Sequence, residues 1–186
     1  SSPGVGNGTL EFYQANFDIY QEVTGLPNGV YGVSVQSYLR AGWAGEPTHS
    51  AYINGTEDNR AYIYATNGVD SLATGVPSVY AGASEVSLAS GESEVTTADG
   101  QILYIPNNMA CAAAYFADAE HGPKYKKTIL ISVTDGTLKV GATQSYNSAG
   151  YWFEMDNWEL TYYGTTPEAY QMVLDNALPN APKFED

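Results

Sequence analysis

The sequence predicts an all-β fold: an antiparallel β-sandwich with one short internal helix and a C-terminal helix. Three observations carry that expectation. Apolar and polar residues alternate with period 2 in several short runs, the signature of strands with one buried face. Gly, Pro, Asn and Asp separate these runs at fairly regular spacing, each supplying a backbone conformation that turns require. Only two segments show helical spacing, which favours packed sheets over a parallel sheet with crossover helices. The 186 residues contain no internal repeat and no linker-like shift in composition, so one domain is expected. The expected division is a flexible Gly-rich N-terminus at 1–9, the sandwich at 10–164, and a helix with a loose tail at 165–186.

In the first strand, Phe17, Ile19, Gln21 and Val23 alternate with Asp18, Tyr20 and Glu22. Leu26-Pro27-Asn28-Gly29 is a turn, with Pro27 fixing φ and Asn28-Gly29 suited to positive φ. A long strand follows, in which Tyr31, Val33, Val35, Ser37 and Leu39 point one way and Val30, Ser34, Gln36, Tyr38 and Arg40 the other. Residues 41–50 form a loop carrying Trp43, and short strands are expected at 51–53 and 61–64 around the Asn54-Gly55 turn. Residues 66–100 are rich in Gly, Ser, Thr and acids and read as a long surface excursion, with small strands at 78–80 and 85–88. Another strand is expected at 102–105.

Asn107 or Asn108 can then cap a helix with Met109, Ala113 and Phe116 on one face. Ile129, Ile131 and Val133 form a strand, Asp135-Gly136 supplies a hairpin turn, and Leu138, Val140 and Ala142 pair back. In the closing stretch GYWFEMDNWELTYYG, Trp158, Leu160 and Tyr162 alternate with Glu159, Thr161 and Tyr163 as in a half-buried strand. Thr165-Thr166-Pro167-Glu168 opens the last helix, which carries Tyr170, Val173, Leu174 and Ala177 and ends at Pro179 and Pro182.

Charge narrows the function classes. A net charge of −14 with seven Lys and Arg leaves little to neutralise phosphates, which excludes nucleic acid as an expected partner. No apolar run approaches the roughly 18 residues a membrane helix needs, so no membrane insertion is expected. Cys111 is the only cysteine, so no internal disulfide forms. It lies in the small-residue run ACAAAYF and reads as a buried hydrophobe; a nucleophile would want a nearby base, and His49 and His121 are in loop-like sequence. Nucleotide-binding, zinc and hydrolase-elbow motifs are lacking, and no enzymatic activity is expected. The first residues, SSPGVG, read as a mature or trimmed start.

Three segments together resemble a galactose-binding-domain-like jelly-roll module, of the carbohydrate-binding kind found in secreted and surface proteins of glycan-degrading gut bacteria. They are LPNGVYGVSVQSYLR (26–40), IPNNMACAAAYF (105–116) with ILISVTDGTLKVG (129–141), and YWFEMDNWELTYYG (151–164). The most specific marks are Gly29 and Tyr31 entering a strand, Pro106-Asn107, and Asp156-Asn157 before the last strand. The resemblance implies a two-sheet jelly roll, a non-catalytic accessory role, export to the cell surface or medium, and neighbouring domains in a larger parent protein. Related modules begin with a further strand. Here only SSPGVGNGT precedes the first clear one, so the module is truncated, completed by a neighbouring chain, or simply shorter.

Sugar recognition needs flat rings that stack on the apolar face of a pyranose, flanked by polar groups that bond its hydroxyls. Tyr38, Arg40, Trp43, Tyr151 and Trp152 are the candidates; Arg40 could instead pair with Glu154 or Asp156. Asp156 matches the place where related modules hold a structural calcium, with Glu11 or Asp18 as converging ligands. Glu154 and Asp156, two apart on a strand, also meet the spacing of a glycosidase pair, although nothing singles them out among abundant acids. The expected function is therefore a non-catalytic module binding a glycan or polysaccharide. The alternative is a structural or adhesion sandwich that contacts protein.

Overall fold

The computed structural model describes residues 3–177. The elements run β1 (Gly4–Gly6), β2 (Thr9–Tyr13), β3 (Phe17–Thr24), β4 (Gly29–Arg40), α1 (Glu46–Ile53), β5 (Ala61–Thr66), β6 (Ser71–Gly75), β7 (Glu92–Thr96) and β8 (Ile102–Pro106). They continue with α2 (Met109–Ala117), β9 (Lys126–Val133), β10 (Thr137–Gln144), β11 (Trp152–Gly164) and α3 (Pro167–Ala177). Two antiparallel sheets form the body, one ordered β1-β2-β11-β4-β9 and the other β3-β10-β5-β6. Apart from the β1–β2 and β5–β6 pairs, every step from one of these strands to the next changes sheet. That is a jelly roll, β2-β11-β4-β9 facing β3-β10-β5-β6, with β7, β8 and α2 inserted between β6 and β9.

Between the sheets lies the main core, built by the inward residues Val33, Val35, Leu39, Ile63, Ile131, Leu138 and Phe153 among others. The period-2 reading of β4 holds, yet all twelve of its residues are buried. Its other face, with Tyr38, is covered by a second core of Val79, Tyr80, Val95, Ile105, Cys111, Ala112, Tyr115, Phe116, Tyr125 and Trp152. Much of the 66–100 segment thus belongs to a covering layer. Residues 71–75 join the four-stranded sheet, Val79–Gly82 make a 3₁₀ turn, and β7 pairs with β8. A Cβ on Gly82 would lie 2.4 Å from the Tyr125 ring, so glycine lets that ring pass, and its hydroxyl donates to Val79 O at 2.7 Å.

Four further expectations are corrected. The N-terminal segment is not a frayed tail: Gly4–Gly6 pairs with β2, and β2 pairs with β11, so the strand thought to be missing is residues 9–13. Residues 51–53 belong to α1, where Pro47 in the first turn and Glu46 near the positive helix end favour helix over a three-residue strand. Asp135-Gly136 turns as expected, with Gly136 at φ 78°, but it closes no hairpin: β9 pairs with β4, whereas β10 pairs with β3 and β5. The helix buried face is Cys111, Ala112, Tyr115 and Phe116, with Asn108 as its cap. The expected stop of α3 at Pro179 and Pro182 lies outside the described residues.

β11 is longer than expected and changes character midway. Through Met155 it lies between β2 and β4; from Asn157 onward only β4 pairs with it. Asp156 faces Gln36 and Glu159 faces Ser34, so β11 holds one extra residue there, a bulge at Asn157 with φ 54°. The extra residue exchanges the faces: Phe153 and Met155 point into the sandwich before it, Leu160 and Tyr162 after it.

Candidate functional site

Tyr13 on β2, Trp152 on β11 and Arg40 on β4 stand opposite one another in register, forming one row on the outer face of the sheet. The next row inward is Glu11, Glu154 and Tyr38. The covering layer seals Tyr38 and Glu154 and stops short of Glu11 and Tyr13 at the β2 end of the two rows. There Glu11, Tyr13, Arg40, Trp43, Asn107 and Trp152, with the start of α2, line an open cavity of about 400 Å³.

Arg40 organises this rim. Its Nε donates to Gly42 O at 3.1 Å and to Gly150 O at 3.2 Å, and its Nη1 donates to Asn107 Oδ1. One cation therefore ties together the loop after β4, the loop before β11 and the entry to α2. The guanidinium lies over the Trp152 ring at 5.2 Å from its centroid, a cation–π contact. Burial lowers the Arg40 pKa somewhat, but it remains charged. The expected pairing of Arg40 with Glu154 or Asp156 does not occur; among the described residues Arg40 makes no ion pair.

The two tryptophans divide in role. Trp152 is 3% exposed and its Nε1 donates to Glu11 Oε2 at 2.7 Å, so it is the floor of the cavity and offers no free face. Trp43 is 61% exposed. Its loop is fixed: the Thr48 hydroxyl donates to Trp43 O at 2.7 Å, and Gly150 packs against the backbone at Gly42 and Trp43 so closely that a Cβ would fall 2.5 Å from Trp43 N. The backbone at Trp43 is thus held in place while its indole is open to solvent.

Tyr38 and Tyr151 are not at the cavity. Tyr38 is buried among Phe116, Tyr125 and Trp152, and Tyr151 belongs to the main core with its hydroxyl donating to Asp58 O at 2.7 Å. Tyr38 sits on a face of β4 that alternation marks as one-sided, but here both faces are covered, and Tyr151 lies just before β11 and packs inward. Sequence reasoning missed Tyr13, Glu11 as a rim residue, and Asn107. The first two alternate with Phe12 in TLEFY, a signal hidden behind the preceding Gly-rich run. Asn108, next to Asn107, is spent on capping: its Oδ1 accepts from Cys111 N at 2.8 Å.

A calcium ion does not fit the residues expected to hold one. Asp156 Oδ1 accepts from Asn157 N at 2.7 Å, bracing the bulge; Asp18 accepts from the Tyr64 hydroxyl at 2.7 Å; Glu11 accepts from Trp152. Among the described residues no group of three or more His, Cys, Asp or Glu could hold a metal ion. Asp156 is thus a turn-bracing residue in this structure.

Glu154 is unusual in another way. It is fully buried, and neither carboxyl oxygen has a hydrogen-bond partner; the nearby Thr9 hydroxyl donates to Gly6 O instead. Burial pushes its pKa up to about 8, the Glu11 and Asp156 carboxylates adding to the rise and Thr9 opposing it in part. With no exposure it has no access to a substrate. Cys111 is likewise internal, and burial pushes its thiol up to about 11, so it stays protonated at neutral pH. A larger open cavity of about 610 Å³ lies between α1 and the β7–β8 hairpin, lined by His49, Tyr52, Tyr80, Asp99 and Gln101. No tryptophan, lysine or arginine lines it, and Tyr80 is engaged with Thr48 and Gly45.

No family model matches the chain, and no curated protein matches it. Among solved structures the chain is similar to that of TmCBM61 in complex with β-1,4-galactotriose. The two are 15% identical over 85% of this chain and 72% of that one, with a TM-score of 0.42. A likeness of that size says nothing about what this chain binds.

Proposed function

We propose that the chain is a non-catalytic carbohydrate-binding module acting outside the cytoplasm, with Trp43 as its stacking platform. The observation that carries this reading is the large exposure of Trp43 beside a rigid polar rim. Exposing an indole costs free energy in water unless a ligand covers it, and the apolar face of a pyranose is a fitting cover. Asn107, Glu11 and Tyr13 border the cavity and supply donors and acceptors for sugar hydroxyls, while Arg40 holds the rim in shape. A loop fixed before binding loses little entropy on binding, which favours measurable affinity from a small contact.

Charge specifies the ligand further. A chain of net charge −14 repels polyuronates and sulfated glycans, so the fitting partner is a neutral polysaccharide. Binding of an uncharged sugar by stacking and hydrogen bonds should change little with salt. Affinity electrophoresis through gels containing neutral or acidic polysaccharides tests both points. Retardation by at least one neutral polymer, unaltered at high salt, is expected; retardation by acidic polymers alone would overturn the reading. A second reading, a protein-contacting module, is favoured by the exposed apolar strip Trp158, Leu160 and Tyr162.

A further inference from the structure

We infer that the C-terminal half of β11 is a docking edge for an extended polypeptide segment supplied by another protein, which adds to the sheet as a strand. The inference is independent of the glycan reading, because it concerns a different side of the molecule. The sandwich has two open sides where the edges of its sheets approach. On one, α3 packs on β9 and β4, and Val173 and Ala177 lie against a cavity lined by β6 and β9. On the other side, β3 is an edge strand, and β11 from Asn157 to Gly164 is paired with β4 alone. Among the described residues nothing pairs with its outer edge.

That edge has little protection beyond the bulge at Asn157 that opens it. Natural edge strands also carry lysine or proline, or are short and covered. Residues 157–164, NWELTYYG, contain neither lysine nor proline, and their single charge, Glu159, is paired with Lys126 at 2.5 Å. Trp158, Leu160 and Tyr162 are 36%, 40% and 48% exposed. Beside them an apolar pocket of about 260 Å³ opens between the two sheets, lined by Ile19, Tyr20, Val140, Met155 and Trp158.

The chemistry of the occupant follows from these features. A free row of backbone N–H and C=O groups is satisfied by another backbone in extended form, not by a helix or a small molecule. Eight residues of strand span about 26 Å, so the segment needs about eight residues. Its side chains must be apolar at every second position to fill the pocket between the sheets. It must also be basic or neutral overall: β3 and β11 contain no Lys or Arg and carry Asp18, Glu22, Glu154, Asp156 and Glu159, of which Glu154 is buried. The cations facing them are Lys126, paired with Glu159, and Lys139, over the Tyr20 ring. The same charge argues against a second copy, since two chains of −14 would be brought edge to edge.

The probe is an acetylated, amidated octapeptide of alternating Lys and Val, titrated into the whole chain at physiological salt. Saturable binding is expected, with a blue shift of tryptophan emission that Trp158→Phe removes and amide-exchange protection centred on 157–164. Leu160→Lys should weaken binding at least tenfold, and Trp43→Ala should leave it unchanged. An octapeptide of the same composition with four Lys followed by four Val should bind at least tenfold more weakly, which separates strand addition from charge attraction without any variant. Equal binding of the two peptides, no saturable binding, or protection elsewhere would overturn the inference. So would a concentration-dependent dimer of the chain alone that protects 157–164, since it would assign the edge to a second copy.

Discussion

The two halves of β11 have similar composition and opposite fates. Residues 152–155 lie between two strands and under a covering layer, and all four are buried; from Asn157 the same strand loses one neighbour and its layer, and its aromatics are exposed. One inserted residue at Asn157 separates the halves and exchanges their faces. A strand's alternation therefore shows which residues share a face, whereas burial depends on what the rest of the chain lays over that face. The same lesson separates Trp152, the buried floor of the cavity, from Trp43, exposed on its rim.

The largest expected contrast comes from truncating each half. Phe153→Ala empties a site in the main core and should cost about 3–5 kcal/mol in chemical denaturation. Leu160→Ala, on the exposed half, should cost under about 1 kcal/mol by the same measurement. Similar costs at both positions would remove the distinction.

Glu154 sharpens the contrast through pH. Its pKa in the folded chain, about 8, lies above the ordinary 4.5, so the native state holds a proton that the unfolded state releases. Its contribution to stability is then full below about pH 4.5 and declines as pH rises toward 8. Glu154→Gln keeps the shape without the ionisation. It should gain stability relative to wild type from pH 5 to pH 9, by about 2 kcal/mol or more across that range, read as urea midpoints.

A smaller effect is expected at the rim. Gly150 has φ 80° and touches the backbone of Gly42 and Trp43, so Gly150→Ala should destabilise by about 1–3 kcal/mol and displace the Trp43 loop. Glycan affinity should fall in the same variant, and Trp43 emission should shift.

Much of the jelly roll was legible because β3, β4, β5, β9 and β10 carry strong alternation bounded by clear turns. The covering layer was not. Residues 66–100 are dominated by Gly, Ser, Thr and acids, and the few residues that anchor them, Val79, Tyr80 and Val95, are too sparse to show a period. Asp135-Gly136 reveals that the chain turns but not which sheet it enters next, because that depends on partners distant in sequence. At the cavity, the exposure of Trp43 was legible because a tryptophan in a Gly-rich loop has few ways to be covered. Tyr38, Tyr151 and Trp152 could not be sorted, since the layers that bury them come from distant segments. Arg40 stood out as one of seven basic residues, but its role in joining three loops depends on carbonyls that no side-chain pattern records.

The most direct test is isothermal titration of a retained neutral oligosaccharide into wild type and Trp43→Ala, with thermal unfolding of both. Loss of at least a hundredfold in affinity with an unchanged unfolding midpoint is the predicted result. Equal affinity in the two proteins would contradict it.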